Sequence, residues 1–178
     1  MKGKLLLAAN GLLFCFAALI LGTLQASLWY QVFGYFPAPA LWICVVAFVG
    51  LYRPLPEAAA VIYASSFIIS PMTVMPMGLI MIAAMAVGLT VKFVKQRIYW
   101  PGSGYFMIVC GASALLFHIF HLIGSLIFEA HGLSSPEIGD WLIEALLTPL
   151  AAPALYAIFW RLDRLTGREH PMEAGVAA

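Results

Sequence analysis

Charge is what this chain has least of. Asp, Glu, Lys and Arg make up 10% of its 178 residues, against about 25% in soluble domains. A protein of this size folding in water cannot hide the 63% of its side chains that are hydrophobic, so a soluble globular enzyme is excluded. Disorder is excluded by the same composition, because that state needs net charge and polar bulk. A net charge of +1 gives a nucleic acid nothing to bind. Cysteine is sparse. Cys15, Cys44 and Cys110 each fall in an apolar run, where a thiol acts as a small hydrophobe. There is no Cys-x-x-Cys, and so no zinc or dithiol signature. Gly-x-Ser-x-Gly, His-Glu-x-x-His and a Gly-rich phosphate loop are also missing, which removes the common patterns for hydrolysis and phosphate binding.

What the chain does have is a succession of apolar runs, with a mean hydropathy of +0.98. The first, Leu5 to Leu24, follows Lys2 and Lys4. It is longer than the roughly 7–15 residues of a secretory h-region and no Ala-x-Ala site follows, so it reads as an uncleaved first helix. Gln25 to Pro39 reads as a loop whose Trp29, Tyr30 and Tyr35 suit a membrane–water interface. The second run, residues 40–52, stops at Arg53-Pro54-Leu55-Pro56-Glu57, and the third, 57–70, stops at Ser70-Pro71. Both are shorter than the about 20 residues a perpendicular span needs, so they are tilted, lengthened by their flanks or re-entrant. The remaining runs are 76–94, 104–128 and 141–161. The expected fold is an all-α, polytopic transmembrane helical bundle of about six spans. Residues 1–167 form one integral membrane domain, and 168–178 form a flexible tail.

Charge placement orients the bundle. With the spans alternating, all nine Lys and Arg fall on the side of the N-terminus: Lys2, Lys4, Arg53, Lys92, Lys95, Arg97, Arg161, Arg164 and Arg168. The other side carries Glu129, His131, Glu137 and Asp140. Under the positive-inside rule both termini are cytoplasmic, and this holds even if the two short runs are re-entrant. Small residues are where helices approach closely in lipid. Ala60 with Ala64, Ala84 with Gly88, and Gly111 to Ala114 are the candidate contacts, within the chain or with a partner helix.

Polar residues inside a bilayer are functional candidates by default. His118 and His121 share a face of the fifth span, and Glu144 lies about one turn into the sixth from the same side. At 1.5 Å rise per residue, His121 and Glu144 are expected at similar depth, roughly 10 Å in. Three readings stand open: a satisfied polar cluster joining two helices, a pocket for a ligand or partner, and a metal or haem site. His-x-x-His alone falls short of the three or four ligands of a tight metal site, so no metal and no cofactor is expected. No acid falls in the inner half of any expected span, which argues against a proton pump. Ser65, Ser66 and Ser113 are expected to bond back to helix carbonyls.

The last span is the most individual. Pro149 and Pro153 leave carbonyls unpaired and are expected to kink it, with Thr148 re-satisfying one carbonyl. Tyr156 and Trp160 then meet the interface, and Arg161 and Arg164 the inner-leaflet headgroups. From Leu146 to Arg164 the run Leu-Leu-x-Pro-Leu-x-Ala-Pro-x-Leu-Tyr, an aromatic and Arg-Leu-Asp-Arg resembles the C-terminus of the rod shape-determining MreD family. The length, the Lys-bearing start, the span number and the proline-flanked run from Pro37 to Pro54 are similar as well. One pattern departs. MreD proteins often carry Gly-x-x-x-Gly-x-x-x-Asp before the fourth span, whereas this chain runs to Ser70-Pro71 with no Asp, so no role of that aspartate carries over.

The resemblance implies a non-enzymatic scaffold or regulatory subunit of the machinery for lateral peptidoglycan synthesis and cell shape. Such a subunit sits in the bacterial inner membrane beside MreC and MreB, with RodA and a class B penicillin-binding protein nearby. MreD-like proteins are also similar in fold to the substrate-binding S components of energy-coupling-factor vitamin transporters. The alternative is therefore a small-molecule binder in which His118, His121 and Glu144 face an outward cavity closed by Trp29, Tyr30 and Trp42. A third reading is an intramembrane redox or metal protein using the two histidines.

Overall fold

The computed structural model describes residues 2–98, 100, 102–128 and 138–167, and these are helical apart from short connections. Glu129, His131, Glu137, Arg168 and the expected tail at 168–178 lie outside the described residues. The helices are α1 (Lys2–Thr23), α2 (Trp29–Phe33), α3 (Leu41–Tyr52), α4 (Leu55–Ile69), α5 (Met77–Arg97), α6 (Ser103–Phe128) and α7 (Ile138–Leu165). Among the described residues five helical stretches are long and apolar enough to cross a membrane, so this is a multi-pass membrane protein.

The first of these stretches is Leu6–Phe33, longer than expected. A π turn at Leu24–Leu28 joins α1 to α2 without a break. Much of the expected loop from Gln25 to Pro39 is therefore helix, and the chain turns only at Gly34, with φ 65°. Nothing between Thr23 and Phe33 is proline or glycine, so nothing there stops the ladder.

The sixth element, α3, is 12 residues long, about 18 Å at the α-helical rise and short of the ~30 Å hydrocarbon core. Its length is no mismatch, because it does not face lipid. It packs against each of α1, α4, α5, α6 and α7, and Trp42 to Leu51 are all buried. A helix apolar on every side belongs in the middle of a bundle. Its ends then lie inside protein, where unpaired backbone groups are costly. Neighbouring helices supply the caps. The N–H of Ala40 donates to Thr148 Oγ1 at 2.9 Å and that of Leu41 to Gln25 Oε1 at 3.1 Å. At the other end Lys95 Nζ donates to the carbonyl of Leu51 at 2.5 Å, and Lys92 Nζ to that of Arg53. Cations at a helix C-terminus also suit its dipole.

Aromatic rings fill the middle. Phe48 on α3 lies 5.4 Å from Phe14, 5.1 Å from Phe159 and 5.9 Å from Phe106, between centroids. Small residues let helices close up, though not all the expected ones. Ala84 and Gly88 are buried, whereas Ala60 is exposed and Ala64 half-exposed. Ser66 donates to the carbonyl of Ile62 at 2.8 Å. Gly111 is where α6 meets α7. A Cβ there would lie 3.0 Å from the carbonyl oxygen of Ala145 and 2.7 Å from Pro149 Cγ. That carbonyl is the one Pro149 deprives of its N–H partner.

Candidate functional site

Two polar centres stand at opposite ends of α3. At the end away from the lysines, the N-terminal turns of α7 meet the outer half of α6. His118 Nε2 lies 2.7 Å from Glu144 Oε2, and both side chains are largely buried. Trp141, one turn before Glu144, stacks on the His118 ring at 5.1 Å with 7° between planes. The histidine is thus held on one edge by a carboxylate and on one face by an indole. Asp140 lies in the first turn of α7, where a carboxylate complements the helix dipole.

These residues wall a cavity of about 400 Å³. Across it stand Gln25 and Tyr30 from the α1–α2 rod, Tyr35 from the turn after it, and Trp42 from the start of α3. A second space of about 150 Å³ continues inward past Trp42, Phe117, His118 and Glu144. The outer cavity is in the usual size range for small ligands, roughly 300–1,000 Å³.

The structure sorts the expected site residues. It pairs His118, rather than His121, with Glu144. His121 is buried beside Phe117, centroids 6.5 Å apart, and lines neither space. Of the three expected aromatic closers, Tyr30 and Trp42 line the cavity. Trp29 instead donates its indole N–H to the carbonyl of Phe36 at 2.9 Å. Among the described residues no group of three or more His, Cys, Asp or Glu is placed to hold a metal ion. Thr148 does not serve the carbonyl freed by Pro149. Its hydroxyl donates to the carbonyl of Glu144 at 2.7 Å and accepts from Ala40. Both prolines lie within one unbroken helix, Pro149 against Gly111 and Pro153 facing outward.

The second centre is one that sequence reasoning missed. At the lysine-bearing end, Arg53 Nη2 donates to Asp163 Oδ1 and, at 2.7 Å, to Asn10 Oδ1. Asn10 Nδ2 donates to Asp163 Oδ1 at 3.1 Å and to Thr166 Oγ1 at 2.6 Å. Glu57 lies 3.5 Å from Arg53 Nε, and the Arg53 guanidinium rests 5.2 Å from the Phe14 ring. Asn10, Arg53 and Asp163 are all buried. The sequence places Asp163 beyond the end of the last span, whereas it lies in the last helical stretch of α7 at 1% exposure. An acid therefore does lie buried at the lysine-bearing end of the bundle. The available signals were a lone Asn in the first apolar run and an Asp set among arginines. Arg161 and Arg164 are exposed, with Arg164 5.6 Å over the ring of Trp160. Tyr156 faces inward, 5.4 Å from Phe106.

Comparison with known protein families, with curated proteins and with solved structures finds no match.

Proposed function

We propose that this protein is an MreD-like, non-enzymatic scaffold of the bacterial inner membrane, serving the machinery that elongates the cell wall. The observation that carries the reading is how α7 divides its two faces. Thr148, Ala152, Leu155, Phe159 and Asp163 point into the bundle. Leu146, Leu150, Pro153, Ala154, Ala157 and Ile158 are exposed. The inner face is committed to holding the fold, through Asp163 at one end and Thr148 in the middle. The outer face carries Pro153, Ala154 and Ala157, whose small size lets another helix approach. Those residues are the proline- and alanine-rich part of the MreD-like segment. The basic end is cytoplasmic by the positive-inside rule, which puts the inner turns of α7 where cytoplasmic and membrane partners meet.

The test is a mild-detergent purification of the tagged protein with its partners identified by mass spectrometry. MreC, with RodA, MreB or a class B penicillin-binding protein, is expected to co-purify. Ala154→Leu with Ala157→Leu is expected to reduce that recovery severalfold while the protein stays monodisperse. Unchanged recovery, or normal cell width after depletion in a rod-shaped host, would overturn the reading.

A second reading, an S-component-like binder of a small molecule, is favoured by the 400 Å³ cavity and its His118–Glu144 pair. Recovery of ATP-binding coupling subunits instead of MreC would select it.

A further inference from the structure

The outer cavity has a chemical character of its own. Four aromatic side chains line it: Tyr30, Tyr35, Trp42 and Trp141. Two carboxylates, Asp140 and Glu144, share the same wall. Among the described residues neither Lys nor Arg lines it, although the chain has nine of them. We infer that this cavity binds a small organic cation, an amine or quaternary ammonium with a methyl-rich or aromatic body.

Each class of ligand meets a different wall. An anion would face two carboxylates, of which only Glu144 is offset by a basic side chain, His118. A lipid chain or other fully apolar guest would strip water from Asp140 and give it no partner. A cation with an apolar body satisfies both features. Its charge faces carboxylates, and its surface packs on indole and phenol faces, which attract cations through the ring quadrupole.

The carboxylate is also prepared. Glu144 uses Oε2 on His118, and Oε1 makes no hydrogen bond among the described residues. Trp141 stacks on one face of the His118 ring, which favours the orientation that pairs it with Glu144. A group held this way meets a ligand without a large loss of side-chain freedom. At about 400 Å³ the cavity has room for a body the size of benzyltrimethylammonium. The inference gives the second reading its ligand class and does not depend on the scaffold reading.

The test is isothermal titration of the purified full chain in lipid nanodiscs. The probes are benzyltrimethylammonium and choline, with 3,3-dimethylbutanol as choline's neutral isostere and benzoate as an anion. Saturable binding of the cations alone is expected. Glu144→Gln and Trp141→Leu should each weaken it roughly tenfold, from the lost charge and the lost ring face. Tyr63→Phe, on an exposed face of α4, should leave it unchanged. If Glu144→Gln does not stay monodisperse, Asp140→Asn and Trp141→Leu carry the test. Equal binding of the neutral isostere, no binding of either cation, or full affinity in both variants would overturn the inference. Binding of benzoate without the cations would overturn it and leave the second reading standing. Silence from every probe, with MreC co-purifying, would overturn it and leave the scaffold.

Discussion

Arg53 and Asp163 show how much one buried pair can demand of its neighbours. Each charge has left water, and their mutual attraction offsets that only with further hydrogen bonds in place. Asn10 supplies one to each, and Thr166 completes the ring through Asn10. Removing one member strands the other. Asp163→Ala is expected to destabilise the protein by about 3–5 kcal/mol in detergent, and Arg53→Met by a similar amount. The double variant Arg53→Met with Asp163→Leu should lose less than the sum of the two, because Glu57 is then the one charge of the cluster left without its partner. Thermal unfolding of all three measures the coupling, and simple additivity would show that the pair does not act as a unit. Thr148 tests the same logic without charge. Thr148→Val keeps the shape but leaves the N–H of Ala40 without its acceptor, at an expected ~1–3 kcal/mol.

At the scale of the element, α3 and the α6–α7 contact decide the architecture. A 12-residue helix persists in the centre because side chains from other helices close both its ends. Lys95→Met should cost about 1–2 kcal/mol, a lost charged hydrogen bond to the carbonyl of Leu51, while leaving the membrane topology unchanged. Unaltered melting of that variant would show that the cap is not holding α3. Gly111 is the point where α6 admits the Pro149 ring and the carbonyl of Ala145. Gly111→Ala forces these apart and should destabilise by about 1–3 kcal/mol. Ala112→Leu, one residue on and exposed, should fall within about 0.5 kcal/mol of the parent.

At the scale of the whole molecule, the packing of the bundle around α3 places two polar centres at opposite ends of that helix. Trp42 near the start of α3 lines the aromatic cavity, and Arg53, just past its end, anchors the buried ion cluster. Topology can be read by thiol labelling after the three native cysteines are replaced. Val74→Cys, in the turn between α4 and α5, should react with a membrane-impermeant maleimide in intact spheroplasts. Ile98→Cys, beyond the end of α5, should react only after permeabilisation. Both positions are well exposed. Equal labelling of the two would overturn the alternating arrangement.

The composition determined that this is a helical membrane bundle, because apolar surface is a property of single residues. The apolar runs likewise marked every helix, with α2 as the exception, since aromatic residues suit an interface and a helix alike. Polar contacts between helices were not legible in that way. His118 and Glu144 were marked as candidates by their rarity, yet only the packing of α6 against α7 decided that His118 and not His121 is the partner. Asn10, Arg53 and Asp163 lie up to 153 residues apart, and no local pattern records that they meet. Lys92 and Lys95 read as membrane-orienting charges, and only the burial of α3 revealed two carbonyls at its end for them to cap. The physical reason is the same throughout. Hydrophobicity acts residue by residue, whereas a buried hydrogen bond needs a partner, and the tertiary structure decides which partner arrives.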